Sequence, residues 1–288
     1  MNLPAPSVSS SALAQARSFL FVPGNRPERF EKAVRSGADA VVLDLEDAVP
    51  PADKDAARQA VVSAWPVLAA LGTPLVVRIN AVAQPLGLAD LAALAPLAAS
   101  RAPWAVMLPK AESAADVRQV RAALGAAVPV LPLIESAAGW QALPGIAAAP
   151  DVLRLVVGHI DFMADTGLLC GEDEAELAPL RFAVAMATRL NALAPAVDGV
   201  TVTIQDEGRL RSDTQRSLRF GFGAKLCIHP AQVAVVHEAL APTPQQADWA
   251  RRVLAADAAA GGAAVQVDGR MADLPVVLQA RRLLARQR

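Results

Sequence analysis

The chain has 288 residues, 54% of them apolar, and 27 basic against 28 acidic side chains, a net charge of −1. That length holds one large α/β barrel or two smaller domains, and the balanced charge gives no case for nucleic acid or an anionic membrane surface as a partner. No apolar run is long enough to span a bilayer, so the positive mean hydropathy of +0.34 reflects buried strands and Ala-rich helices, and no membrane partner is expected.

Residues 1–16 (MNLPAPSVSSSALAQA) lack the basic start and long apolar core of a secretory signal and read as a flexible leader. Cys170 and Cys227 stand in no metal-ligand spacing and read as free thiols of a reducing, cytoplasmic protein.

From Ser18 the chain settles into a beat of apolar strand, loop and amphipathic helix. SFLFVPGN is followed by RPERFEKAVRSG, where Pro27 suits a first helical turn and Gly37 an end. AVVLDLEDAV is the second strand and DKDAARQAVVSAWPVLAALG its helix; PLVVRIN and AVMLPKAE are the third and fourth strands. VPVLPLIES and VLRLVVGHIDF are the fifth and sixth, AVDGVTV the seventh and AKLCIHP the eighth. Helical patterns at 88–97, 114–124, 137–148, 174–193 and 207–220 separate the later strands. Eight such beats predict a (β/α)8 TIM barrel over residues 17–241. An open doubly wound sheet is the alternative, but the Gly-rich dinucleotide fingerprint is absent. From Pro242 two helical stretches flank GGAAVQVDGRMADLP, which belongs to no barrel unit. Residues 242–288 are read as a C-terminal helical lid extension over the barrel mouth, or over a neighbour's.

In such a barrel the carboxyl ends of the strands gather the functional groups. Glu135 and Asp161 close the paired fifth and sixth strands; each alone suits a helix cap, but together they make a hard, oxygen-rich site suited to Mg²⁺. Asp44, Glu46 and Asp47 end the second strand, with Asp44 and Glu46 at the alternate spacing that shares one face. Arg78 in VVRIN offers a rigid donor fork for a carboxylate or an enolate oxygen, or alternatively an ion pair with a rim carboxylate. Asp44, Glu46, Asp47, Lys110 and His229 are read as groups that orient the ligands rather than bind directly. His159 shares the face of Asp161 if the sixth strand continues through it.

The segments RSFLFVPGNRPERFEKA, ADAVVLDLEDAVPPADKDAAR, VVRIN, VMLPKAE, LPLIES, GHIDFMADTG, LCIHPAQV and DGRMADLPVVLQARRLL together resemble the HpcH/HpaI aldolase and citrate lyase β-subunit-like family. The resemblance covers the chain from about residue 17 to its end. It implies a Mg²⁺-dependent barrel that makes or breaks a carbon–carbon bond beside a 2-oxo acid carbonyl, acting on malyl or citryl thioesters of coenzyme A or an acyl-carrier protein. It further implies Glu135 and Asp161 as metal ligands that also meet substrate, Arg78 as the residue holding substrate oxygens, and Asp273 as a catalytic lid carboxylate, reaching a neighbouring subunit's site in a homo-oligomer. Thioester hydrolysis at the same site, or a barrel kept as a non-catalytic subunit of a larger lyase, are the other readings. Ile160 stands where many members carry an acidic residue.

Overall fold

The computed structural model describes residues 8–99 and 102–287. After a short helix, α1 (Val8–Gln15), strands alternate with helices: β1 (Ser18–Pro23), α2 (Phe30–Val34), β2 (Ala40–Asp44), α3 (Lys54–Ala70), β3 (Leu75–Arg78), α4 (Pro85–Leu94), β4 (Trp104–Leu108), α5 (Ala114–Leu124). There follow β5 (Val130–Ile134), α6 (Ala137–Ala147), β6 (Val156–Val157), α7 (His159–Thr166), α8 (Ala178–Leu190), β7 (Val197–Asp198), α9 (Glu207–Arg219) and β8 (Ala224–Cys227). The eight strands pair in parallel, each with the next, and β8 closes on β1. This is the (β/α)8 TIM barrel expected.

Side-chain alternation decides what lies inside. Phe19, Ala40, Val42, Val76, Ala105, Met107, Leu131, Leu133, Val156, Val197, Ala224 and Leu226 form one buried cluster in the barrel interior. Two residues beyond Val42, Val76 and Leu133 on the same face come Asp44, Arg78 and Glu135. The period of the strands thus carries a charged ring to the mouth on top of an apolar filling.

The other end of the barrel corrects the sequence reading. Residues 1–7 of the expected flexible leader lie outside the described residues, but residues 8–15 are the helix α1, and Leu13 and Ala16 belong to the interior cluster. Because they immediately precede β1, they stopper the amino-terminal end of the strands. The fully buried Arg154 fastens them: its Nη1 donates to Leu13 O at 2.9 Å and Ala16 O at 2.8 Å, and its guanidinium lies 5.2 Å from the centre of the Phe19 ring. The pattern SSALAQ is too short and polar to announce a helix by itself; the partners that hold it are far away in sequence.

The chain divides into two compact units, the second of them His237–Arg288. Helix α10 (Gln232–Leu240) straddles the boundary. In the second unit α11 (Pro244–Ala259) packs on α12 (Leu274–Leu284), with an antiparallel hairpin of β9 (Val265–Val267) and β10 (Arg270–Ala272) between them in sequence. Asp268 and Gly269 form its two-residue turn, both at positive φ (51° and 76°), the conformation that matches hairpin twist. Ala250, Val253, Val267, Ala272, Val277, Ala280 and Leu283 make this unit's own core. Among the described residues no helix is long and apolar enough to cross a membrane.

Candidate active site

The mouth of the barrel is built around Arg78. Asp44 and Arg78 are register partners on adjacent strands, so a short acid and a long base lie side by side. Arg78 Nε and Nη2 each donate to one oxygen of Asp44 at 2.7 Å, a two-pronged pair. Nη1 lies 3.1 Å from Glu46 and 3.7 Å from Asp47, and the guanidinium stacks 4.8 Å from the centre of the Phe21 ring. Burial works against the charge, but Asp44, Glu46 and Asp47 outweigh it and raise the Arg78 pKa. The ion-pair role that the sequence left open for Arg78 is therefore present, and it fixes where the remaining donors point.

Glu46 is buried between Arg78 and Lys110, whose Nζ lies 3.7 Å away. Burial, with Asp47 and Asp44 close by, pushes its pKa up to about 7. Its backbone is held from below by a residue that sequence reasoning missed. Lys54, buried at the first turn of α3, donates to Leu45 O and Glu46 O at 2.7 Å and to Asn80 Oδ1 at 2.8 Å, which satisfies all three ammonium protons. Asn80 in turn donates to Leu45 O and Asp90. A lysine opening a helix normally reads as solvated, and only the three carbonyl-type acceptors converging on it reveal otherwise.

Glu135 leaves β5 just before α6. One oxygen accepts the Lys110 backbone N–H at 2.7 Å, a donor aimed by the positive φ (46°) of Lys110. The carboxylate lies on Gly158: a Cβ there would fall 2.5 Å from Glu135 Oε2. Burial first, then the nearby charges of Glu46 and Asp161, raise the Glu135 pKa to about 8, against the pull of the Lys110 N–H. Ser136 caps α6 by accepting from Gly139 N, and its hydroxyl donates to Glu112 at 2.7 Å.

Asp161 requires a correction. The sixth strand ends at Val157, and Gly158 turns the chain into α7, so Asp161 lies in the first helical turn rather than at a strand end. Consequently His159 does not share its face: the imidazole is buried against Gly199, and burial lowers its pKa. Behind it lies a network that the sequence did not announce. Asp198 accepts from Arg181 Nε at 3.1 Å and from the Ser217 hydroxyl, with Lys225 Nζ 3.9 Å away. Burial alone would raise the Asp198 pKa, but Lys225, Arg181 and Ser217 hold it at about 2.

The structure thus gathers Asp44, Glu46, Asp47, Arg78, Lys110, Glu135 and, through its charge, Asp161. His229 stands apart, exposed beyond β8, its Nδ1 accepting from Ala231 N at 3.2 Å. Asp273 lies in the second unit as the residue before α12, with its carboxylate making no cap bond to that helix. Among the described residues no three His, Cys, Asp or Glu side chains form a ready metal cluster, so Glu135 and Asp161 offer a cation two carboxylates. The donor set nevertheless fits Mg²⁺, which takes a few carboxylates and completes its octahedron with water or substrate oxygens. Glu46 and Asp161 both raise the proton affinity of the buried Glu135, which marks a place where positive charge is wanted.

Residues 17–230 match the model of the HpcH/HpaI aldolase/citrate lyase family. A citrate lyase subunit beta-like protein of Deinococcus radiodurans is 38% identical over 95% of this chain and 98% of its own. Two proteins of Cereibacter sphaeroides, a (3S)-malyl-CoA thioesterase and an L-malyl-CoA/beta-methylmalyl-CoA lyase, are 32% identical (94% of both chains) and 35% identical (92% of both). The crystal structure of CitE from Mycobacterium tuberculosis in complex with magnesium, acetoacetate and coenzyme A superimposes with a TM-score of 0.80 at 36% identity, covering 95% of this chain and 98% of that one. Barrel, charged mouth and these matches agree, and the chain belongs to the HpcH/HpaI aldolase/citrate lyase family.

Proposed function

We propose that this protein is a Mg²⁺-dependent carbon–carbon lyase that cleaves or forms a malyl-CoA- or citryl-CoA-like thioester, releasing or condensing a 2-oxo acid. The carrying observation is the juxtaposition of a fixed guanidinium with the buried Glu135 carboxylate, whose proton affinity is raised, at one mouth. Glu135 and Asp161 would hold the cation, which supplies Lewis-acid polarisation of the 2-oxo acid oxygens when bound. Arg78 has five N–H donors, of which two are spent on Asp44. Nη1 also faces Glu46 and Asp47; the donors that stay free meet the substrate carboxylate and the negative charge that develops on the reacting oxygen, and Asp44 spares them reorganisation. Lys110 adds positive charge at the rim, and Lys54 keeps the Glu46 turn in place.

In the cleavage direction the substrate hydroxyl gives up its proton, the carbon–carbon bond breaks to leave the 2-oxo acid, and the bonding pair passes to the thioester as an enolate that is then protonated. Condensation reverses this, with a base taking a proton from the thioester methyl. Asp273 is assigned that proton transfer, from the second unit of a neighbouring chain in a homo-oligomer.

Thioester hydrolysis is the second reading, because a (3S)-malyl-CoA thioesterase is among the relatives. Malyl- and citryl-CoA are incubated with and without Mg²⁺, and free thiol, glyoxylate and oxaloacetate are measured. A 2-oxo acid with an acyl-CoA, released only with Mg²⁺, supports the lyase. Free thiol without a 2-oxo acid identifies a hydrolase, and no turnover points to a binding or assembly subunit.

A further inference from the structure

Asp161 sits on a helix of only eight residues, bounded by Gly158 at one end and the left-handed Gly167 (φ 72°) at the other. Something outside the helix has to set its distance from Glu135, since Glu135 lies between β5 and α6 and Asp161 within α7. Two points of attachment do so. At the start of α7, the Gly158 N–H donates to Ile134 O at 3.0 Å, and the missing side chain lets Glu135 rest on the backbone. One turn beyond Asp161 and on the same side of the helix, Asp165 Oδ2 accepts the Ala137 backbone N–H at 2.7 Å. Ala137 is the second residue after Glu135 and the first of α6, where a helix has an N–H without an internal partner.

We propose that Asp165 is a positioning residue: its bond to Ala137 N ties α7 to the Glu135 segment and so fixes the separation of the two carboxylates. The inference rests on the reading that Glu135 and Asp161 hold Mg²⁺. A helical turn is stiff, with about 6 Å of rise between Asp161 and Asp165, so anchoring the second orients the first. Without the anchor, α7 would keep its buried His159 and Phe162 but would be tied to the Glu135 segment at Gly158 alone.

The distinguishing variants are Asp165→Ala, which removes acceptor and charge, and Asp165→Asn, which keeps an acceptor oxygen and removes only the charge. Asp165 is exposed, and circular dichroism verifies that both variants fold. Calorimetric titration of the full-length protein with Mg²⁺ should show affinity reduced by about 10-fold in Asp165→Ala, the low end of the loss for an outer partner of a metal ligand, and within about twofold of wild type in Asp165→Asn. Unchanged affinity in Asp165→Ala, or equal losses in both variants, would overturn the proposal, the second outcome because it reports charge rather than the bond. If the wild type gives no Mg²⁺ heat, the metal reading fails by itself. Crystal structures of the two variants then decide the positioning claim: a displaced Asp161 in the alanine variant alone upholds it, and an unmoved Asp161 overturns it.

Discussion

Arg78 meets both carboxylate oxygens of Asp44 at 2.7 Å across adjacent strands, and this one pair fixes the donor array at the barrel mouth. Arg78→Lys keeps the charge and loses the fork. We expect kcat/KM for thioester cleavage to fall by about 10²-fold or more. Asp44→Asn leaves Arg78 in place with a weaker partner and should fall less, by about 10-fold, mainly in kcat. Steady-state kinetics of both variants check the order; a loss below about threefold in Arg78→Lys would reduce the arginine to an ion-pair partner.

Gly158→Ala tests the seat of Glu135. A methyl group 2.5 Å from Glu135 Oε2 has no room, so the carboxylate must move. Mg²⁺ affinity by calorimetry should then approach that of Glu135→Gln, while the far-ultraviolet circular dichroism stays that of the wild type. Wild-type affinity in both variants would remove Glu135 from the metal site.

Asp198 gives the acid limb of stability. Its pKa is lowered from 3.8 to about 2 in the folded chain, so the folded state favours the charged form. The stabilisation is complete above about pH 4, the unfolded value, and is lost as pH falls toward about 2. Asp198→Asn should cost on the order of 3 kcal/mol at pH 7, since it leaves buried cations short of a partner. The gap between the two proteins in urea unfolding should narrow as pH falls through that window; a constant gap would show that the aspartate carries no pH-linked stability.

Mixing subunits tests the lid. Asp273→Asn and Arg78→Ala chains, each inactive alone, should recover activity when co-assembled if one chain's second unit completes another's site. No recovery, with subunit exchange shown by native mass spectrometry, would place Asp273 within its own chain's chemistry or outside chemistry altogether.

The barrel was legible because its signals are local. Uninterrupted runs such as VVLDLED and VLPLIES mark buried parallel strands, and their period of two predicts which acid points inward. Asp44, Arg78 and Glu135 follow from that period alone. Asp161 did not, because the apolar run LVVGHI does not show where a strand stops; Gly158 ends β6 after Val157 and starts a helix. Lys54, Asp165 and Arg154 were illegible for a different reason. Each derives its role from backbone atoms supplied by another segment, as when Arg154 binds carbonyls 138 and 141 positions away, and no pattern around a residue encodes a partner at that distance.

Helix α1 has a consequence for how the protein tolerates change. Leu13 and Ala16 fill the end of the barrel opposite the charged mouth, with the whole apolar interior between. Leu13→Ala there would subtract from the free energy of folding, by about 2–5 kcal/mol, without altering the groups around Arg78. At the α1 end, therefore, durability can drift without reference to reactivity, because the whole barrel interior lies between them.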